Sequence, residues 1–152
     1  MAKVEPIQKS HLQVDTNLEV LPRVLDWFSD FAGKSLPHDL LWECQVALTE
    51  GFTNVVRHAH GHLAPQTAID LEISLFCDYL EICIWDFGNP FDWKAKLAEI
   101  QGEELDPLEK EGGRGLLFMH QLTDELSYNR CDDNRNCLTM RKKLTNTVGS
   151  PD

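Results

Sequence analysis

The chain has 152 residues, of which 42% are hydrophobic and 26% charged, with a formal net charge of −11. This length and composition suit one compact soluble domain with its own core. The acidic balance argues against nonspecific binding to nucleic acid or to anionic membranes, since both require a basic face.

No apolar run approaches the roughly 20 residues of a membrane-spanning helix, and MAKVEPIQKS lacks the apolar centre of a secretory signal. The five cysteines (Cys44, Cys77, Cys83, Cys131 and Cys137) are an odd number with no C-x-x-C pair. They are expected to be reduced thiols of a cytoplasmic protein, not a disulfide frame or a zinc site.

The elements follow from periodicity. His11 to Val14 reads as a short strand. Asp15 or Thr16 then caps a helix whose apolar stripe runs through Leu18, Leu21, Leu25, Phe28 and Phe31 and stops at Gly33. Pro37 opens a second helix with a broad apolar face at Leu40, Leu41, Cys44, Leu48, Phe52, Val55 and Val56. Beyond Gly61 the period changes to two. Ile69, Leu71, Ile73 and Leu75 alternate with polar residues, and after a turn at Cys77-Asp78-Tyr79 so do Leu80, Ile82 and Ile84. WKAKLAEIQ is a short helical piece, followed by the acidic segment GEELDPLEKEGG, which is expected to be solvated. A helix is predicted from Gly115 to Leu126, then a hairpin, ELSYNRC and NCLTMRKKL, around DDNR. Leu126, Tyr128, Leu138, Met140 and Leu144 are its core-facing residues, and residues 145–152 are expected to be a disordered tail. The fold class is therefore α+β, a two-layer sandwich in which helices cover one face of a mostly antiparallel (mixed) sheet.

Three pieces carry chemistry. Glu50 and Asn54 stand one turn apart on the second helix, so they share a face, and alone they read as an exposed polar stripe. Asp86, in WDFG, ends an apolar strand where its carboxylate can accept from an exocyclic amine, while Gly88 leaves room for a flat ring. Alone it reads as a turn aspartate. In EGGRGL, Gly112, Gly113 and Gly115 precede a helix. Converging N–H groups there suit a phosphate, and Arg114 would add a forked donor. Alone it reads as a flexible connector.

Taken in order, these pieces resemble the Bergerat ATP-binding fold shared by histidine kinases, type II topoisomerases, heat-shock chaperones and mismatch-repair ATPases, over about residues 12–144. TEGFTNVVRHAHG, DFGNPFD and GGRGLLFMHQLTDEL resemble, more specifically, the stand-alone anti-sigma-factor serine kinases. The resemblance implies ATP and Mg²⁺ as cofactors. It implies Glu50 as general base and Asn54 as the magnesium ligand. It implies Asp86 as the adenine-reading acid with Gly88 beside it. Gly113, Arg114, Gly115 and Leu116 become the phosphate loop, under a lid spanning about 89–112. His58 is implied near the phosphates, and Thr139 as a strand hydroxyl supporting the adenine contact. The lid's acidity needs an offset from Lys94, Lys96, Lys110 or Arg114. HAHGH alternates like a metal site on a strand, but at a helix end exposed or capping histidines are expected.

The implied function is phosphorylation of a serine on a small antagonist protein, which competes with a sigma factor or another client for the kinase. The alternative is a non-catalytic, nucleotide-gated module that sequesters a client. LQVDTNLEVLPRVLDWF fits either a homodimer contact, as in the family, or internal packing.

Overall fold

A computed structural model of the chain describes residues 5–90, 93–101 and 113–144. The expected tail, and the acidic part of the expected lid, lie outside the described residues.

Five strands form one sheet: β1 (Gln8–Val14), β2 (Ile69–Leu75), β3 (Tyr79–Asp86), β4 (Glu125–Arg130) and β5 (Asn136–Lys143). Their order is β1-β2-β3-β5-β4 and every neighbouring pair is antiparallel. The helices are α1 (Leu21–Ala32), α2 (His38–Asn54), α3 (Trp93–Gln101) and α4 (Gly113–Leu122).

Period-two patterning decides which sheet face is covered. Ile69, Leu71 and Ile73 of β2, Leu80, Ile82 and Ile84 of β3, and Leu138 and Met140 of β5 are all buried in one core with Phe28, Leu48 and Phe52 from the helices. Each such side chain contributes about 1.5–3 kcal/mol through removal from water. The intervening residues form the open face, where charge pairs replace apolar packing. Arg135 bridges to Asp70 at 2.7 Å, and Arg141 to Glu81 at 2.7 Å.

The helices sit where their smallest residues allow close approach. At Gly51, a Cβ would lie 2.9 Å from Ile84 Cδ1 and 3.3 Å from Leu138 Cδ2, so α2 rests almost directly on β3 and β5. Ala47, one turn earlier, is fully buried on the same side. α1 is rotated slightly from its predicted stripe. Val24, Phe28 and Ala32 are its buried centre, while Leu21, Leu25 and Phe31 pack at the flanks. Its approach is prepared by a 3-10 turn, Leu18–Val20, capped by Asn17, whose Oδ1 accepts from the Glu19 N–H at 2.9 Å. Neither Asp15 nor Thr16 is the cap, because the Thr16 hydroxyl donates elsewhere, to Thr67 O at 2.7 Å.

α4 begins at Gly113 and ends at Leu122, earlier than predicted. Its last carbonyls are already satisfied. Thr123 Oγ1 donates to Met119 O at 2.6 Å, and Lys142 Nζ to Leu122 O at 2.9 Å, while Asp124 N–H donates to Arg141 O and starts the β4 ladder.

Candidate nucleotide-binding site

α2 does not end as an ordinary helix. Val55–Ala59 continue it as a π-helical turn, with the His60 N–H reaching back to Val55 O at 2.7 Å. Such a turn adds a residue per turn, and it is found most often where a helix must re-aim side chains. Asn54, Val55, His58, Ala59 and His62 all line one cavity of about 390 Å³. That volume lies in the range of small-molecule sites, about 300–1,000 Å³. Asp86 and Leu116 line it as well, from the end of β3 and the first turns of α4.

Asp86 is 2% exposed and closes the cavity floor. Its Oδ1 accepts from the Gly88 N–H at 2.8 Å and from Asn136 Nδ2 at 2.9 Å. Its Oδ2 accepts from the Tyr128 hydroxyl at 3.4 Å, a long bond that leaves acceptor capacity for a further donor. Three donors hold a buried carboxylate that would otherwise be costly to desolvate. In return, burial and then the Asp86 charge push the Tyr128 phenol up from its ordinary pKa. Asn136 is fully buried and also donates to Gly88 O at 2.8 Å, so one amide fixes both the acid and the loop after it.

Gly115 joins the acid and amide of α2. A Cβ there would lie 2.8 Å from Glu50 Oε1, 3.3 Å from Asn54 Oδ1 and 3.5 Å from Asn54 Nδ2. The first turn of α4 therefore presses on both side chains and brings a carboxylate and an amide oxygen to one point. Oxygen donors of this kind suit Mg²⁺, which keeps waters and substrate oxygens as its other ligands. Among the described residues no group of three or more His, Cys, Asp or Glu side chains is arranged to hold an ion by itself. A metal here would thus depend on phosphate oxygens to complete its shell.

Several sequence expectations are revised. Gly113 and Arg114 fall within the first turn of α4, not in a loop before it; the Arg114 side chain, like Lys110, lies outside the described part. Lys96 lines the cavity from α3, which Leu97 seats in the core. Gly88 makes room for protein, not for a ring: a Cβ would lie 2.7 to 2.9 Å from the O, Cβ and Cα of Ala59 at the end of the π turn. Thr139 stands on the opposite face of the sheet from Asp86. In β5 the inward residues are Asn136, Leu138 and Met140, so the threonine between them faces out, near the Cys83 and Cys137 sulfurs. The side chains that hydrogen-bond Asp86 are instead those of Asn136 and Tyr128. The signal for Asn136 was parity, since it is two residues before Leu138.

HAHGH divides. His58 and His62 face the cavity, whereas His60 is 1% exposed. His60 Nε2 accepts from the Phe87 N–H at 2.8 Å. Its Nδ1 is 2.8 Å from Thr16 Oγ1, whose own proton goes to Thr67 O. The ring is therefore neutral and protonated on Nδ1. It ties the residue after Asp86 to the turn before α1 and to the approach to β2. Burial keeps its pKa below the usual histidine value, partly opposed by the Asp86 charge and aided by His62.

A family model, the histidine kinase-like ATPase domain, matches residues 14–142. The chain belongs to this family. Among curated relatives, the serine-protein kinase RsbW of Staphylococcus epidermidis is 31% identical over 101 residues, covering 64% of this chain and 63% of that protein. RsbW of Staphylococcus aureus is 28% identical over 100 residues with the same coverage. The match thus spans less than two thirds of these relatives' length. Among solved structures, the RsbU and RsbW domains of Rv1364c from Mycobacterium tuberculosis align at a TM-score of 0.64 and 14% identity, covering 91% of this chain and 33% of that one. The SiaB–SiaC complex from Pseudomonas aeruginosa aligns at 0.60 and 14% identity, with 89% of each chain covered. Both share the fold of this histidine kinase-like domain.

Proposed function

We propose that this chain is a cytoplasmic, ATP- and Mg²⁺-dependent protein serine/threonine kinase and anti-sigma-type regulator. It phosphorylates a serine on a small antagonist protein and otherwise sequesters a sigma factor or comparable client. The observation that carries the reading is the convergence of Glu50 and Asn54 on Gly115, beside a cavity floored by Asp86. The similarity to RsbW serine kinases supports it.

When bound, Mg²⁺–ATP would supply a transferable phosphoryl group whose charge the metal would partly neutralise. Asp86 accepts a hydrogen bond from the exocyclic amine of adenine. Asn54 would offer its amide oxygen to the metal. The N-terminus of α4 would offer backbone N–H groups and the positive end of its dipole to phosphate. Glu50, one turn before the metal ligand, takes the proton of the attacking serine hydroxyl. A phosphate then adds about −1.5 to −2 charges to the antagonist. Against a chain of net charge −11 this favours release.

The decisive experiment combines the chain with γ-labelled ATP, Mg²⁺ and a small antagonist domain bearing an exposed serine. Phosphoserine on the antagonist is expected. A thermal shift with Mg²⁺–ATP but no transfer supports the nucleotide-gated binder instead; at one hundred times the dissociation constant that shift is worth about 2.7 kcal/mol.

Gly115→Ala separates stability from chemistry. The new methyl group meets the mobile end of Glu50, so the fold yields easily, and alanine favours the α4 helix by up to about 1 kcal/mol. The melting temperature should hold or rise. Transfer should fall on the order of 10²-fold, because the carboxylate is displaced by a fraction of its own length. Parallel melting and initial-rate measurements check both signs.

A further inference from the structure

The open face of the sheet carries a second cluster of reactive groups. Cys83 of β3 and Cys137 of β5 are on neighbouring strands. The register sets Cys83 opposite Thr139 and Trp85 opposite Cys137, so the two cysteines are diagonal neighbours. The Thr139 hydroxyl lies 3.7 Å from Cys83 Sγ and 3.6 Å from Cys137 Sγ, so it bridges the two sulfurs. Cys137 is half-buried; Cys83 is buried, with its sulfur 3.8 Å from Glu81 Oε1.

We propose that Cys83 and Cys137 form a reversible thiol–disulfide modification site, oxidised by hydroperoxides, in which Cys137 is the nucleophile and Cys83 the resolving thiol. The asymmetry follows from the surroundings. Cys137 is the more accessible of the two and Cys83 is buried, and the neighbouring Cys83, with the Thr139 hydroxyl and the Arg135 charge, holds the Cys137 thiol below its ordinary pKa against burial and the Glu81 charge. Cys83 is pushed up by the neighbouring Cys137 and by burial. Cys44, by contrast, is buried among apolar residues and pushed up to about 12, which makes it inert.

The chemistry balances in two steps. The Cys137 thiolate attacks the hydroperoxide. An S–O bond forms, the O–O bond breaks, and the leaving oxygen takes up a proton to depart as alcohol or water. The Cys83 sulfur then attacks Cys137 Sγ. The S–S bond forms, the S–O bond breaks, and water leaves with the proton of Cys83. Two thiols and one hydroperoxide give a disulfide, an alcohol and water. Diagonal strand neighbours have Cα atoms about 7–8 Å apart, whereas disulfides favour about 4.4–6.8 Å. Closing the bond therefore draws β3 and β5 together, and the strain makes the product easy to reduce.

The test treats the folded chain with hydrogen peroxide, blocks residual thiols and maps peptides by mass spectrometry. The expected major product joins Cys83 to Cys137 and is reversed by dithiothreitol. Cys137 should also be alkylated at pH 7 faster than the exposed Cys77, and Thr139→Val should slow it about tenfold by removing one donor to the thiolate. A major Cys131–Cys137 bond, over-oxidised Cys137 beside intact Cys83, or equal alkylation of Cys137 and Cys77 would each overturn the proposal.

Discussion

Glu50→Gln should leave Mg²⁺–ATP binding intact and lower phosphoserine formation by about 10²–10⁴-fold, the usual contribution of a general base. The exchange preserves shape. The glutamine side chain still fits against Gly115 and still presents an oxygen near Asn54, so the phosphate end of the cavity keeps its form. What it loses is the capacity to take a proton. Calorimetric nucleotide affinity and single-turnover transfer, measured on one preparation, separate the two. A variant that transfers phosphate at the parent's rate removes Glu50 from the chemistry. A variant that no longer binds nucleotide makes it a structural residue.

Asp86→Asn should weaken ATP binding by roughly ten- to a hundredfold, as expected for loss of a charge-assisted hydrogen bond of about 1.5–3 kcal/mol. The fold should tolerate it. The oxygen of the new amide can keep the bonds from the Gly88 N–H and the Asn136 side chain, and its nitrogen can donate to the Tyr128 oxygen in place of the bond that Oδ2 accepts. Only the acceptor offered to the cavity is lost. Asp86→Ala behaves differently, because it leaves two buried donors without a partner at about 1–3 kcal/mol each. Competition between ATP and GTP, read beside the melting temperatures of both variants, tests the assignment. An unchanged ATP preference in the Asp86→Asn variant, stable and folded, counts against adenine reading by this residue.

Much of this architecture is legible in the sequence because the sheet is covered on one face only. Alternation in IDLEISL and YLEICIW reports directly which residues meet the helices, and all of those residues are buried, with Ser74 and Cys83 buried besides. The grouping of Asn54 with Asp86 is also readable, from the order of E-x-x-x-N and D-x-G. Long-range polar pairing is not. Asn136 is an unremarkable residue after a turn until β3 and β5 are set in register, when it falls opposite Asp86. The Thr139 assignment conflicts with parity already present in the chain, since Leu138 and Met140 read as core-facing. The π turn leaves no mark in composition. Without it, the alternation in HAHGH gives no reason for the middle histidine alone to turn inward.

That middle histidine makes the domain sensitive to acid. A proton arriving on Nε2 of His60 would face the Phe87 N–H donor head-on, with the other ring nitrogen already committed to Thr16. In the unfolded chain the imidazole titrates freely near about 6.5, whereas burial lowers that value in the native state. The unfolded chain therefore takes up the proton first. Native stability is complete in mildly alkaline solution and drains away as the medium acidifies below neutrality. Asp86 and His62 pull this response in opposite directions, and a His60→Gln protein should lose less on passing from pH 7.5 to 5.5 in denaturant titrations. Acid would thus loosen the tie that His60 makes between Phe87, beside the cavity floor, and Thr16.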